Sequence, residues 1–146
     1  MAKHISSMND LQKALQPVMK DMVDTLAERV YEALNYFLQE YYDDYDPKSY
    51  RRQYDFLRSA VKVDSKIKGN KVVASVYIDT DSMDNYYNAT GEQVARWANQ
   101  GLHGGLDTGS KTPRVWDDTM DATVNNGELL NLAVEYLRSK GFSVRV

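Results

Sequence analysis

From Leu11 onward, apolar residues recur as Leu11, Leu15, Val18, Met19, Met22, Val23, Leu26, Val30, Leu34, Phe37, Leu38 and Tyr41. Intervals of three and four place them on one stripe of a helix with 3.6 residues per turn. The pattern predicts one long amphipathic helix, and such a helix needs a second apolar surface to lie on. Ser7 or Asn9 can cap its start by accepting a bond from a free backbone amide. Pro17 predicts either a kink or a second start, because proline lacks an amide donor and crowds the preceding turn. Residues 1–10 are therefore expected as a flexible arm. Asp43-Asp44-Tyr45-Asp46-Pro47 ends the helix: the residue before proline avoids helical angles, and aspartates are unfavourable at the negative end of the helix dipole.

The remainder must build what the helix packs against. In the segment from Ser49 to Ser59, Tyr50, Tyr54 and Leu57 share a face, which suits a short helix or an irregular aromatic stretch. Val61, Val63 and Ser65 to Ile67 alternate with polar residues, Lys68-Gly69-Asn70-Lys71 supplies turn chemistry, and Val72, Val73, Val76, Tyr77 and Ile78 form a β-branched and aromatic run. Together they predict a β-hairpin. Asp79 to Thr90 reads as a loop, Glu92 to Asn99 as a helix, and residues 101–114 as a flexible glycine-rich loop. Asp117 to Val124 and Glu128 to Ser139 read as helices, the second ended by Gly141 before a terminal strand, Phe142 to Val146. The expected fold is α+β in a single domain, 1–146. A long amino-terminal amphipathic helix packs on a small, mainly antiparallel sheet, with further short helices and a carboxy-terminal strand.

With 146 residues, the chain can bury a core without metal or disulfide support. It has no cysteine, which removes disulfides, thiolate nucleophiles and cysteine-ligated metals and favours an intracellular origin. A net charge of -3 and a pI near 5.4 argue against sequence-specific nucleic-acid binding. Neither a signal-peptide core nor a run of about 18 apolar residues is present, so a soluble chain without a membrane partner is expected. Eleven tyrosines against three phenylalanines suit rings that stay partly wet or meet a partner.

The stretch Gly91 to Gly105 holds Trp97 and His103, the histidine inside the domain. With Asp107, Asp117 or Asp118, His103 has the residue types of a general base or metal ligand, but such a site needs mutual geometry. The plainer reading is a histidine in a glycine-flanked turn that packs or faces a neighbour. His4 stands in the amino-terminal segment with no companion at metal-binding spacing. Asp79, Asp81 and Asp84 have alternating oxygen ligands, yet a calcium loop needs glycine at its sixth position and glutamate at its twelfth, where this chain has Asp84 and Thr90. The acidic group Asp43, Asp44 and Asp46 reads as a solvated helix end or a partner for Arg51 or Arg52. Gly101-Leu-His-Gly-Gly105 lacks the Gly-Lys-Ser/Thr ending of a phosphate loop, and no serine stands in Gly-x-Ser-x-Gly. Trp97 and Trp116 are candidate core or interface anchors. No cofactor and no catalytic set is expected.

The amphipathic amino-terminal helix, the stretch Tyr50-Arg-Arg-Gln-Tyr-Asp-Phe-Leu-Arg-Ser-Ala60 before a hairpin, the segment Val94-Ala-Arg-Trp-Ala-Asn-Gln-Gly-Leu-His-Gly and a late helix running into a short strand occur in that order. In these features the chain resembles the tail-completion or neck proteins, the head-tail joining family of long-tailed bacteriophages and prophages. A departure is the polar, glycine-rich Leu106 to Pro113, where such proteins often carry small residues and proline. The resemblance implies a non-enzymatic virion protein that self-associates as a ring and touches neighbouring phage neck and tail proteins. It would be assembled in the bacterial host cytoplasm. A ring subunit presents two different complementary patches. One is expected on an exposed tyrosine-rich helix end, Tyr41, Tyr42 and Tyr45, and the other around Trp97, His103 and Trp116. The alternatives are a small metal-dependent or acid-base hydrolase using His103 with Asp117 or Asp118, and a host-protein-binding regulator.

Overall fold

The computed structural model describes residues 5–45, 54–83, 89–103, 105–107 and 112–145. Helix α1, Met8–Asp43, is the element on which the rest is arranged. Its 36 residues span about 54 Å. The Ser7 side chain caps it by accepting from the Asp10 amide at 3.1 Å. The helix therefore already includes residues 8–10 of the span expected as an arm. Pro17 neither breaks α1 nor restarts it: the helix runs through, with the ring on an exposed side where water can satisfy the carbonyl that loses its donor.

The hairpin lies along one flank of α1. Strands β1, Ala60–Lys68, and β2, Lys71–Ile78, pair antiparallel around Gly69-Asn70. Gly69 adopts φ 61°, the left-handed angle that a tight two-residue hairpin turn requires. The register shifts between Val63 and Lys66, a bulge that turns Ser65 into the helix. There the Ser65 amide and hydroxyl donate to the two oxygens of Asp24, at 2.7 and 2.8 Å, and Lys62 pairs with Glu28.

Along the rest of α1 run α3, Val115–Met120, and α4, Glu128–Ser139, while α2, Gly91–Asn99, packs against α3 and the turn Thr80–Ser82. Thr90 and Gln93 form a reciprocal capping box that starts α2. The expected helix over Asp117 to Val124 begins earlier, at Val115, and passes into a π-helical turn, Asp121–Asn125. Buried Thr119 and Thr123 return their hydroxyls to the carbonyls four residues back, at 2.6 and 2.7 Å, so neither leaves a polar group unsatisfied. Arg29 of α1 grips Glu128 with two nitrogens, at 2.7 and 3.2 Å, which fixes the start of α4. The core is Leu34, Leu38, Tyr41, Tyr42, Phe56, Ala98 and Val115, at the carboxy-terminal half of α1.

The α+β class and the long helix on an antiparallel hairpin are as expected. The carboxy-terminal strand is not: among the described residues, 142–145 join no sheet. The cause is the end of α4. Gly141, at φ 91°, donates to the Arg138 carbonyl and Phe142 to that of Leu137, a helix cap that folds the chain back on α4. Arg138 then donates to the Val144 carbonyl at 3.0 Å, holding the tail to its own helix. Of the segment from Ser49 to Ser59, residues 49–53, including Tyr50, lie outside the described residues. Tyr54 to Arg58 make a single turn that buries Phe56.

Candidate functional site

The end of α1 and the segment after α2 meet at His103. Its ring is 5% exposed, and Nε2 stands 3.1 Å from Asp44 Oδ2, 59 positions away in sequence. The Thr112 hydroxyl donates to the same carboxylate oxygen at 2.6 Å. Tyr41 stacks on the imidazole with ring centroids 4.2 Å apart and planes 17° from parallel, while Tyr45 lies against it at 4.9 Å. The Tyr41 hydroxyl donates to the Leu102 carbonyl at 2.6 Å, and His103 and Leu106 exchange backbone bonds at 2.9 Å. Four local choices converge here. The Asp-rich end of α1 supplies the carboxylate, its last turn and the residue after its cap supply Tyr41 and Tyr45, Gly101 at φ 76° turns the chain out of α2, and Thr112 bonds the same carboxylate.

Chemically, a histidine beside a carboxylate is the orienting half of an acid-base pair. To act on a substrate, the imidazole must reach it, and this ring is enclosed by two tyrosines. What the cluster does in the fold is tie the end of α1 to residues 101–103 and 112. The described part of the loop expected over 101–114 is thus anchored; Gly104 and residues 108–111 lie outside the described residues.

The remaining candidates fall in different places. Tyr41 and Tyr42 are buried, at 6% and 9%, which corrects the expectation of an exposed tyrosine patch at the end of α1. They sit on the apolar stripe, where Tyr42 stacks on Phe56 and Tyr41 meets both rings edge-on to fill the core. Tyr45 is half-buried beside His103. Trp97 is half-buried on α2, and Gly105, at φ 83°, lies so close that a Cβ there would stand 3.5 Å from the indole. Trp116 packs half-buried against the core. His103 has Asp44 as its acid, whereas Asp117 exchanges two bonds with Asn99 and Asp118 accepts the Arg114 amide. The constellation of His103 with Asp117 or Asp118 is therefore not the one the fold builds. Asp79 accepts from the Ser82 amide within its own 3-10 turn, Thr80–Ser82, and Asp84, Asp46, Arg51, Arg52 and His4 lie outside the described residues. Among the described residues no group of three His, Asp or Glu gathers as a metal site, and no helix is long and apolar enough to cross a membrane.

Sequence reasoning missed Asp44 as the partner of His103, and Thr112 altogether. A second polar feature also escaped it, the seat of Asp24 under the bulge. The Ser65 amide, then the Ser65 hydroxyl, hold that carboxyl below its ordinary range.

A family model matches residues 7–139, from the cap of α1 to the last residue of α4. The chain belongs to the YomN family. YomN is a phage- and prophage-derived family, so this member is a phage-related protein. Searches of curated proteins and of solved structures return no match. The family thus carries the phage connection.

Proposed function

We propose that this chain is a non-enzymatic structural subunit of a phage particle, a tail-completion or neck protein that helps join head to tail as one member of a ring. The observation that carries the reading is the apolar surface a phage-derived chain leaves open along its longest element. Met8 is 70% exposed, and Leu11, Leu15, Val18 and Met19, which continue the apolar stripe, are only half-buried, with no described residue of α1 before Met22 buried. Fully covering a large apolar side chain is worth roughly 1.5–3 kcal/mol, and a stripe left half-buried by its own fold gains part of that when a partner covers it. The enclosed His103 supports the same reading, because its partners make it a fastening between segments. Of the six aromatic and histidine positions expected at an interface, Tyr45, Trp97 and Trp116 are half-buried and able to reach a neighbour, whereas Tyr41, Tyr42 and His103 are buried.

The test is light scattering with negative-stain imaging of the purified chain over a concentration series, alone and co-expressed with neighbouring virion proteins. Rings, or oligomers formed with those neighbours and weakened by Trp97→Ala, are the expected result. A monomer at all concentrations that binds none of them overturns the proposal, and an activity lost in His103→Ala would replace it with the hydrolase reading.

A further inference from the structure

The register places Val61 opposite Tyr77, Val63 opposite Ser75 and Lys66 opposite Val73. Directly opposed residues share a face of the sheet. The other face packs on the core through Ala60, Val76 and Ile78 and reaches α1 through Lys62. The outer face is therefore apolar at Val61, Val63, Val73 and Tyr77, and the last two are 39% and 43% exposed. At its tip Lys66, Lys68 and Lys71 are exposed, and Lys68 stands directly opposite Lys71. Like charges across an antiparallel pair destabilise it. Among the described residues none of the three forms an ion pair, so the hairpin gains nothing from this charge.

A complementary arrangement stands on α3 and its π-helical continuation. Asp117 and Asp121 are exposed and four residues apart, and the Asn99 and Asn125 amides donate to them at 3.2 and 2.7 Å. Neutral amides orient these carboxylates without cancelling their charge. Residues four apart on a helix have Cβ atoms about 5–6 Å apart, and directly opposed strand residues about 4.5–5.5 Å. Two lysines and two aspartates thus present matching spacings of opposite sign. They lie toward opposite ends of one molecule. Ser65 touches α1 at Lys20 and Asp24, so the hairpin tip beyond it points to the start of α1, whereas Val115 of α3 packs with Leu38 and Tyr41 near its end.

We infer that the outer face of the hairpin and its lysine tip dock on the Asp117–Asp121 face of a second copy of this chain, head to tail. The contact joins two different patches, so it repeats from copy to copy, and it rests on the ring reading above. Its test uses the full chain. Lys68→Glu turns a like-charged cross-strand pair into an opposite one, so thermal melting should show a hairpin at least as stable while self-association weakens. K68E/K71E should weaken self-association roughly tenfold, as should salt near 1 M, where screening shortens to about 3 Å. Mixing K68E/K71E with D117K/D121K, each deficient alone, should restore mixed oligomers by light scattering. Rings that form in K68E/K71E as in the parent chain, or deficient partners that stay apart on mixing, overturn this contact while leaving the ring reading in place. A chain monomeric under every condition overturns both.

Discussion

Replacing His103 by alanine tests whether the buried cluster fastens the end of α1. The substitution removes a hydrogen-bond partner from Asp44, whose side chain is 16% exposed and which also accepts from the Thr112 hydroxyl. Loss of a hydrogen bond to a charged group is worth about 1.5–3 kcal/mol. The ring stacked on Tyr41 adds about 0.5–1.5 kcal/mol. The expected destabilisation is therefore about 3 kcal/mol, near 9 °C in Tm for a chain of this size. Urea unfolding followed by tyrosine and tryptophan fluorescence measures it, with an unchanged denaturant slope as the sign that only stability has moved. His103→Phe keeps a ring against Tyr41 and should recover the stacking share but not the rest. In a double-mutant cycle with Asp44→Ala the two losses should overlap by about 1–2 kcal/mol. A His103→Ala protein within about 0.5 kcal/mol of the parent, or losses that simply add, would refute the argument that this pair holds the two segments together.

Acid stability follows from two carboxyls held below their ordinary values, Asp24 by the Ser65 amide and hydroxyl and Glu128 chiefly by the Arg29 guanidinium. A carboxyl whose folded-state value is depressed contributes stability that is present above its unfolded value and lost as pH falls through the folded one. Taking ordinary values of 3.8 and 4.5, the urea midpoint should hold above about pH 5 and drop below about pH 4. Asp24→Asn and Glu128→Gln should each shallow that drop, and a midpoint that climbs on acidification would contradict the assignment. At the start of α2, a Cβ on Gly91 would stand 2.2 Å from the Thr80 carbonyl oxygen, which is backbone. Gly91→Ala should therefore cost about 2–3 kcal/mol, more than the about 1–2 kcal/mol expected for Gly69→Ala, where the angle is strained but the space is open. Thermal melting of the two variants checks the order, and a reversed order would mean that the close approach at Gly91 is not real.

Much of the fold was legible because its signals are local. The stripe from Leu11 to Tyr41 needs only the helical period, and the hairpin needs only two β-branched runs around Gly69-Asn70. Pro17 shows where a local rule yields to a larger structure. The missing amide and the crowded turn are real penalties, but they fall on the exposed side of a helix with 36 residues, whose packing elsewhere offsets them. The terminal strand failed for the opposite reason. Val144 and Val146 have strand propensity, yet the decisive residues are Gly141, which turns the chain back, and Arg138, which captures a carbonyl at the next segment. A propensity says what a segment tolerates; its hydrogen-bond partners decide what it becomes.

The site was legible in its ingredients but not in its pairing. His103 stood out as a histidine in a glycine-rich stretch, and Asp44 as one of several acids at a helix end, but 59 positions separate them and nothing periodic links the two. The aromatic signal misled in a related way. A tyrosine-rich helix end suits a wet interface or a core with a polar tip to satisfy, and the sequence is the same in both cases. The difference lies in the partner of each hydroxyl. Tyr41 finds the Leu102 carbonyl, and Tyr42 accepts the Leu57 amide at 3.2 Å, so both rings can turn inward without stranding a polar atom. Those acceptors and donors come from loops remote in sequence, and only the assembled fold brings them within reach. The same reasoning marks Lys68 and Lys71 as unusual. Among the described residues every buried side-chain nitrogen and oxygen finds a partner within the fold, whereas these two exposed lysines face each other across a turn at the fold's expense. That mismatch is what a contact with another copy would resolve.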